Sequence, residues 1–322
     1  MNIHETGLEN ALVWSAHRTR LIGQCPRKYF YNFIRSWEGW DTTQSPETQA
    51  AYRFKNLTSP ELEAGTVVHN VIRGIFTRAR LGLSIRPSDE IKYAQSLFEN
   101  FIDQSQRRRL EDCTAKRRKL LLHQLGGGLD SEAVSTHLER IATHIEAFFQ
   151  LADVKVLLAT PSAVLWDFLD PSGFEVGEEL EVPARLKTDL VFLEANKYVI
   201  GDWKCGKALE DHEQQGMVYD LYLRSKLALP PQAQVEVRFY YLGCGKAVTF
   251  TFDDDQRAEK LWAIGEQFAT LQGYSDCRLL NQGPESRFPA RPSFSCRSCN
   301  HQLMCREFLS SKFTRQPQKD AA

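Results

Sequence analysis

Apolar residues between Leu62 and Arg80 recur at three- and four-residue intervals (Val67, Val68, Val71, Ile72, Ile75, Phe76), which predicts an amphipathic helix ending near Gly82. The same spacing predicts helices over residues 14–37, with Pro26 in a first-turn position after Cys25, and over 88–125 and 130–151, separated by Gly126, Gly127 and Gly128. Residues 38–60, rich in Thr, Ser, Gln and Pro, read as a loop. From 154 to 204 the period shortens: VKVLLA, FEVGEELEV, RLKTDLVFLE and KYVIGDWK read as strands broken by Pro161, Pro171, Gly173 and Asn196. A helix over 211–228 stops before Pro230 and Pro231, two strands (VEVRFYYL, AVTFTF) follow, and a helix over 254–272 leads into a cysteine-rich tail. This order predicts an α/β fold: a mixed sheet with helices packed around it and a helical insertion at 83–150.

Composition adds limits. The 322 residues are 42% hydrophobic and 25% charged, with a net charge of −1, enough for a sizeable core. The chain is no polycation, so nucleic-acid binding would rest on local basic surfaces. The start MNIHETGLENALVW lacks the features of a signal peptide, and no stretch approaches the roughly 18 apolar residues of a membrane span. A soluble, cytoplasmic protein is expected, in which eight cysteines need an explanation other than disulfides. Cys113, Cys205, Cys244 and Cys277 are scattered, as buried small hydrophobes are; Cys296, Cys299 and Cys305 form a C-x2-C-x5-C set.

The candidate chemistry lies in the two strands that turn near Ala195 and Asn196. Strand residues two apart share a face, so Asp202 and Lys204 point one way and Trp203 the other, toward packing. Asp189, on the neighbouring strand, can converge on the same spot. Two carboxylates and a lysine suit phosphodiester hydrolysis: the carboxylates hold a divalent ion, and the lysine orients water and offsets developing negative charge. A lone D-x-K is far more often a pair of solvated residues near a turn, so the pattern depends on its company. That company is His69, in GTVVH on a helix, whose imidazole suits Mn²⁺ as well as Mg²⁺, and Gln215 with Tyr219, one turn apart on the helix after the strand.

In this order GTVVH, RLKTD, GDWKCG and QQGMVY resemble the RecB-like branch of the PD-(D/E)xK nucleases. The segments SAHRTRLIGQCPRKYFYNF and CRSCNHQLMC resemble the terminal cysteine segments of its cluster-bearing members: the nuclease domain of AddB and the CRISPR-associated RecB-like exonucleases. The resemblance implies a restriction-endonuclease-like fold in one domain over 1–322, with 290–310 as a cluster segment paired with Cys25. It implies that His69, Asp189, Asp202 and the backbone carbonyl of Trp203 bind Mg²⁺ or Mn²⁺. Lys204 is then the catalytic lysine, and Gln215 and Tyr219 orient DNA and the site. It further implies a [4Fe–4S] cluster on Cys25, Cys296, Cys299 and Cys305, with Zn²⁺ as the alternative for four thiolates and His301 as a neighbour. The implied activity is a DNA exonuclease or end-processing nuclease in repair, recombination or CRISPR adaptation, acting on DNA with single-stranded ends beside a helicase or CRISPR adaptation proteins.

The chain departs from this pattern in places. Residues 83–150 carry no matching motif. Where the family often has a glycine shortly before the first aspartate, this chain has Arg185-Leu186-Lys187-Thr188, whose bulk bears on substrate approach. Glu178, Glu179 and Glu181 offer a further carboxylate or simply a solvated face. The runs Arg107-Arg108-Arg109 and Lys116-Arg117-Arg118-Lys119 read as phosphate contacts or as a solvated helix face. Arg18, Arg20, Arg27 and Lys28 beside Tyr29, Phe30 and Tyr31 read as single-strand contacts or as core. The alternative functions are a catalytically silent DNA-binding or scaffold subunit and a zinc-stabilised protein of unrelated role.

Overall fold

A computed structural model of the chain describes residues 10–165, 173–176, 182–206, 211–277 and 280–310. The first elements are helices α1 (Ala16–Gln24), α2 (Pro26–Phe30) and α3 (Pro46–Lys55), strand β1 (Leu57–Thr58), and helices α4 (Pro60–Arg80) and α5 (Pro87–Arg107). Strand β2 (Lys119–Leu120) and helices α6 (Leu121–Gln124), α7 (Ser131–Gln150) and α8 (Ala152–Ala159) follow. Then come strands β3 (Gly173–Val176), β4 (Val182–Arg185), β5 (Leu190–Glu194) and β6 (Lys197–Lys204), helix α9 (Asp211–Lys226), strands β7 (Gln234–Tyr241) and β8 (Lys246–Phe250), and helices α10 (Asp254–Tyr274) and α11 (Arg306–Leu309).

These elements make two compact units, one of residues 60–103 and 129–266 and the other of 1–59, 104–128 and 267–322. The first holds a mixed sheet in the order β5-β6-β7-β8. Its β5/β6 and β7/β8 pairs are antiparallel and its β6/β7 pair parallel, with α9 as the crossover. Alternation along β6 sorts its two faces. Val199 and Trp203 pack with Leu190, Phe192 and Tyr240 against α4, α5, α7 and α8. Ile200 packs with Val191, Val237 and Phe239 against Met217, Tyr219, Tyr222 and Leu223 of α9. Helices thus cover both sheet faces, as the element order predicts, and the Trp203 side chain, 2% exposed, lies in the core. The hairpin turns at Ala195, whose φ of 53° is the left-handed geometry of a tight two-residue connection, and pairs Glu194 with Lys197.

In the second unit the helix expected over 14–37 is broken. Proline disfavours helical geometry in the residue before it and brings no N–H, so Cys25 is extended (φ −158°, ψ 104°) between α1 and α2. Tyr29, Phe30 and Tyr31 are buried, as is Arg27, which donates to the Phe288 carbonyl and pairs with Glu285 at 2.7 Å and Glu307 at 2.9 Å. Arg27 and the three aromatics are therefore tether and core, the second of the two readings open to them. Residues 38–60 hold α3, begun by a capping Ser45 and by Pro46, with Ala51 and Phe54 buried beneath it.

Two further expectations are corrected. The helix expected over 88–125 ends at Arg107, and the chain then forms a short turn and β2, which pairs parallel with β1. The basic runs there are partly structural: buried Lys119 donates to the carbonyls of Ser105 and Arg108 at the C-terminus of α5, and Arg108 donates to the Arg118 carbonyl. VKVLLA is helix α8, not a strand; Val154 and Leu157, three residues apart, enter the core together. No helix among the described residues is long and apolar enough to cross a membrane.

Candidate active site

The predicted site residues, from four segments, meet at one end of the sheet. His69, Asp189, Asp202, Trp203, Lys204 and Tyr219 line a single pocket, and Gln215 joins them through hydrogen bonds. Asp202 and Lys204 share a face of β6 as expected. Asp189 stands one residue before β5, and the register Leu190↔Gly201, continued one step, sets it opposite Asp202. His69 lies well inside α4, because that helix begins at Pro60.

Four side chains close a ring. The Lys204 amine lies 2.7 Å from Asp202 Oδ1 and donates to Gln215 Oε1 at 2.9 Å. Gln215 Nε2 donates to the Tyr219 hydroxyl at 2.7 Å, and that hydroxyl donates to Asp202 Oδ2 at 2.7 Å. The Phe239 ring floors the ring, with the Lys204 ammonium 4.9 Å from its centroid. Each long side chain is held at two points, so the lysine loses its ordinary rotamer freedom in advance.

A second pair stands beside the ring: His69 Nδ1 lies 3.0 Å from Asp189 Oδ2, which also accepts the Trp203 backbone N–H at 3.1 Å. Burial alone would lower the His69 pKa, but the hydrogen bonds and charge of Asp189 and Cys205 push it up to about 10. Burial raises Asp189 and is outweighed by His69, the Trp203 N–H and Lys204, so its carboxyl stays below the usual range. Asp202 goes the other way, driven up by burial and then by the Asp189 charge, against Lys204 and Tyr219. Burial, followed by the two carboxylates, raises Tyr219 well above an ordinary phenol, so it remains a donor.

A charged carboxylate that opposes the ionisation of a buried one beside it, with an imidazole at their edge, fits a hard divalent cation, whose charge would relieve that repulsion. As the side chains stand, no three His, Cys, Asp or Glu among the described residues enclose an ion; His69 is turned onto Asp189. Glu178, Glu179 and Glu181 lie outside the described residues.

In the other unit Cys25, Cys296, Cys299 and Cys305 line one pocket with Arg27, Lys28 and His301. Burial raises the Cys299 and Cys305 thiols, Cys305 to about 11, and Cys25 pushes both in the same direction. Four cysteines lining one pocket beside two cations suit a metal that binds thiolate. The His301 ring is buried and its Nε2 lies 3.0 Å from Asn32 Oδ1.

The pocket holding Asp202 also contains Arg73, Arg140 and His144, which none of the sequence motifs includes, with Cys205 noted only as a scattered cysteine and Lys187 only for its bulk. Helical spacing would have found two of them. Arg73 stands one turn from His69 on α4, and Arg140 shares a face of α7 with His137 and His144. The family model that matches the chain, over residues 13–306, is described as the PD-(D/E)XK nuclease superfamily. No curated protein matches it.

Proposed function

The chain belongs to the PD-(D/E)XK nuclease superfamily, whose members are metal-dependent nucleases, and from that premise we propose that it is a RecB-like deoxyribonuclease hydrolysing DNA from or near an end. The observation that carries this reading is the closed Asp202–Tyr219–Gln215–Lys204 ring, which joins the two motifs through four contacts of 2.7–2.9 Å. A silent scaffold has no need to hold a lysine beside a carboxylate in this way.

Asp189, Asp202, His69 and the Trp203 carbonyl are assigned to Mg²⁺ or Mn²⁺, which when bound supplies Lewis acidity toward the phosphate and makes water more acidic. Lys204 positions the attacking water and stabilises negative charge as it grows on phosphoryl oxygen. Tyr219 stays protonated and holds Asp202, while Gln215 fixes the Lys204 amine. The four-cysteine pocket is assigned to a [4Fe–4S] cluster with a structural role, since hydrolysis needs no electron transfer. The match across both compact units supports one nuclease domain with 83–150 as a helical insertion, although 104–128 of that stretch belongs with the cysteine unit. Cytoplasmic DNA repair, recombination or CRISPR adaptation, beside a helicase or adaptation proteins, is the setting such a domain fits.

Lys204→Ala and Asp202→Ala should each reduce Mn²⁺-dependent cleavage of end-labelled single-stranded DNA by more than about a hundredfold, with unchanged circular dichroism. Wild-type rates in both variants would overturn the mechanism. Anaerobic purification with iron, sulfide and zinc analysis tests the cluster: about four irons per chain supports it, and a single zinc replaces it.

A further inference from the structure

The pocket around Asp202 carries more positive charge than the ring and a metal account for. Arg73 and Lys187 line it from different segments, Arg73 on α4 and Lys187 on the stretch leading into β5. Both line the pocket that holds Asp189, Asp202 and Lys204. Neither forms an ion pair with a carboxylate among the described residues, unlike Arg224, Arg238 and Arg257 of the same unit. Arg140 reaches the same pocket from α7. Cations that line a pocket beside carboxylates without pairing with them can take an anion brought in by a substrate.

Their placement indicates which anion. Arg73 lies four residues, about 6 Å, beyond His69 on α4, and Lys187 lies two residues before Asp189, so each cation neighbours one member of the pair assigned to the metal. We propose that Arg73 and Lys187, with Arg140 at the rim, form a second phosphate subsite that grips the backbone phosphate next to the one being cleaved. The inference deepens the nuclease reading and rests on it. Part-exposed cations at the pocket mouth draw a strand inward and set its register, while Lys204 acts on the scissile phosphate.

The test is binding of a short fluorescein-labelled single-stranded oligodeoxynucleotide, read by anisotropy across a salt series in EDTA, where metal-dependent cleavage is silent. Arg73→Gln and Lys187→Met should each weaken binding by about tenfold and lower the slope of log affinity against log salt by about 0.7, one phosphate contact on a single strand. Arg73→Lys and Lys187→Arg should keep the wild-type slope, and they carry the test if a neutral variant melts early. Unchanged slopes in the neutral variants, or a lost slope in the charge-conserving ones, overturn the subsite. The nuclease reading fails separately: a wild-type protein that binds with the charge-dependent slope but never cleaves with Mn²⁺ keeps the subsite and loses the catalysis.

Discussion

At the scale of single residues, the site depends on Tyr219, whose one hydroxyl serves two partners. Tyr219→Phe leaves Asp202 Oδ2 without its donor and Gln215 Nε2 without its acceptor in a buried place, and lets the lysine wander. Cleavage should fall between about tenfold and a hundredfold through kcat, with KM for DNA nearly unchanged, in steady-state assays. A wild-type kcat would mean that the ring does not hold the lysine. The D-x-K and Q-x-x-x-Y pairs were legible because each obeys a local period, two in a strand and four in a helix. Their closure into a ring was not, since it depends on how closely α9 settles on the sheet.

At the scale of elements, that settling rests on Gly216. A methyl group there would stand 3.1 Å from a carbon of the Phe239 ring and 3.4 Å from Val237, so either α9 or the ring that floors Lys204 must give way. Gly216→Ala should cost about 1–3 kcal/mol of stability in denaturant melts and reduce cleavage, although it touches no reacting group. The far end of the sheet depends on charge. Arg238 on β7 pairs with Asp153 at 2.9 Å and with Glu194 and Glu236 at 2.6 Å each. The Arg238 hydrogen bond holds the Glu194 carboxyl below its ordinary range, against burial, with Lys197 assisting. A depressed carboxylate contributes stability above its unfolded pKa, about 4.3, and loses it as pH falls through the lower folded value. Arg238→Met should therefore destabilise at neutral pH by on the order of 2 kcal/mol. The gap in melting temperature to wild type should narrow as pH falls from about 5 toward 3. Element types misread from sequence share a cause. VKVLLA has strand composition, but packing draws its residues in at a spacing of three, and α3 is short enough that its cap and proline outweigh its polar surface.

At the scale of the whole molecule, Cys25 and the C-terminal cysteines lie at opposite ends of the sequence yet line one pocket. A metal joining them closes a very long loop, so Cys25→Ser should abolish cluster incorporation, read as lost iron and lost visible absorbance, and cost a few kcal/mol of stability. Full iron content in that variant would remove Cys25 from the ligand set. Arg27, with Glu285 and Glu307, already ties the same ends together, so the variant should still fold. Local periodicity and local covalent constraint were enough to reveal the α/β order, the buried Trp203 between Asp202 and Lys204 and the hairpin at Ala195. Each is settled within a few residues by backbone geometry. Only the tertiary structure decided that Lys119 caps a helix, that Arg27 is a tether, and that Arg73, Arg140 and Lys187 face the carboxylates. A charged side chain's role depends on which groups lie within a few ångströms of it, and packing between distant segments sets that neighbourhood.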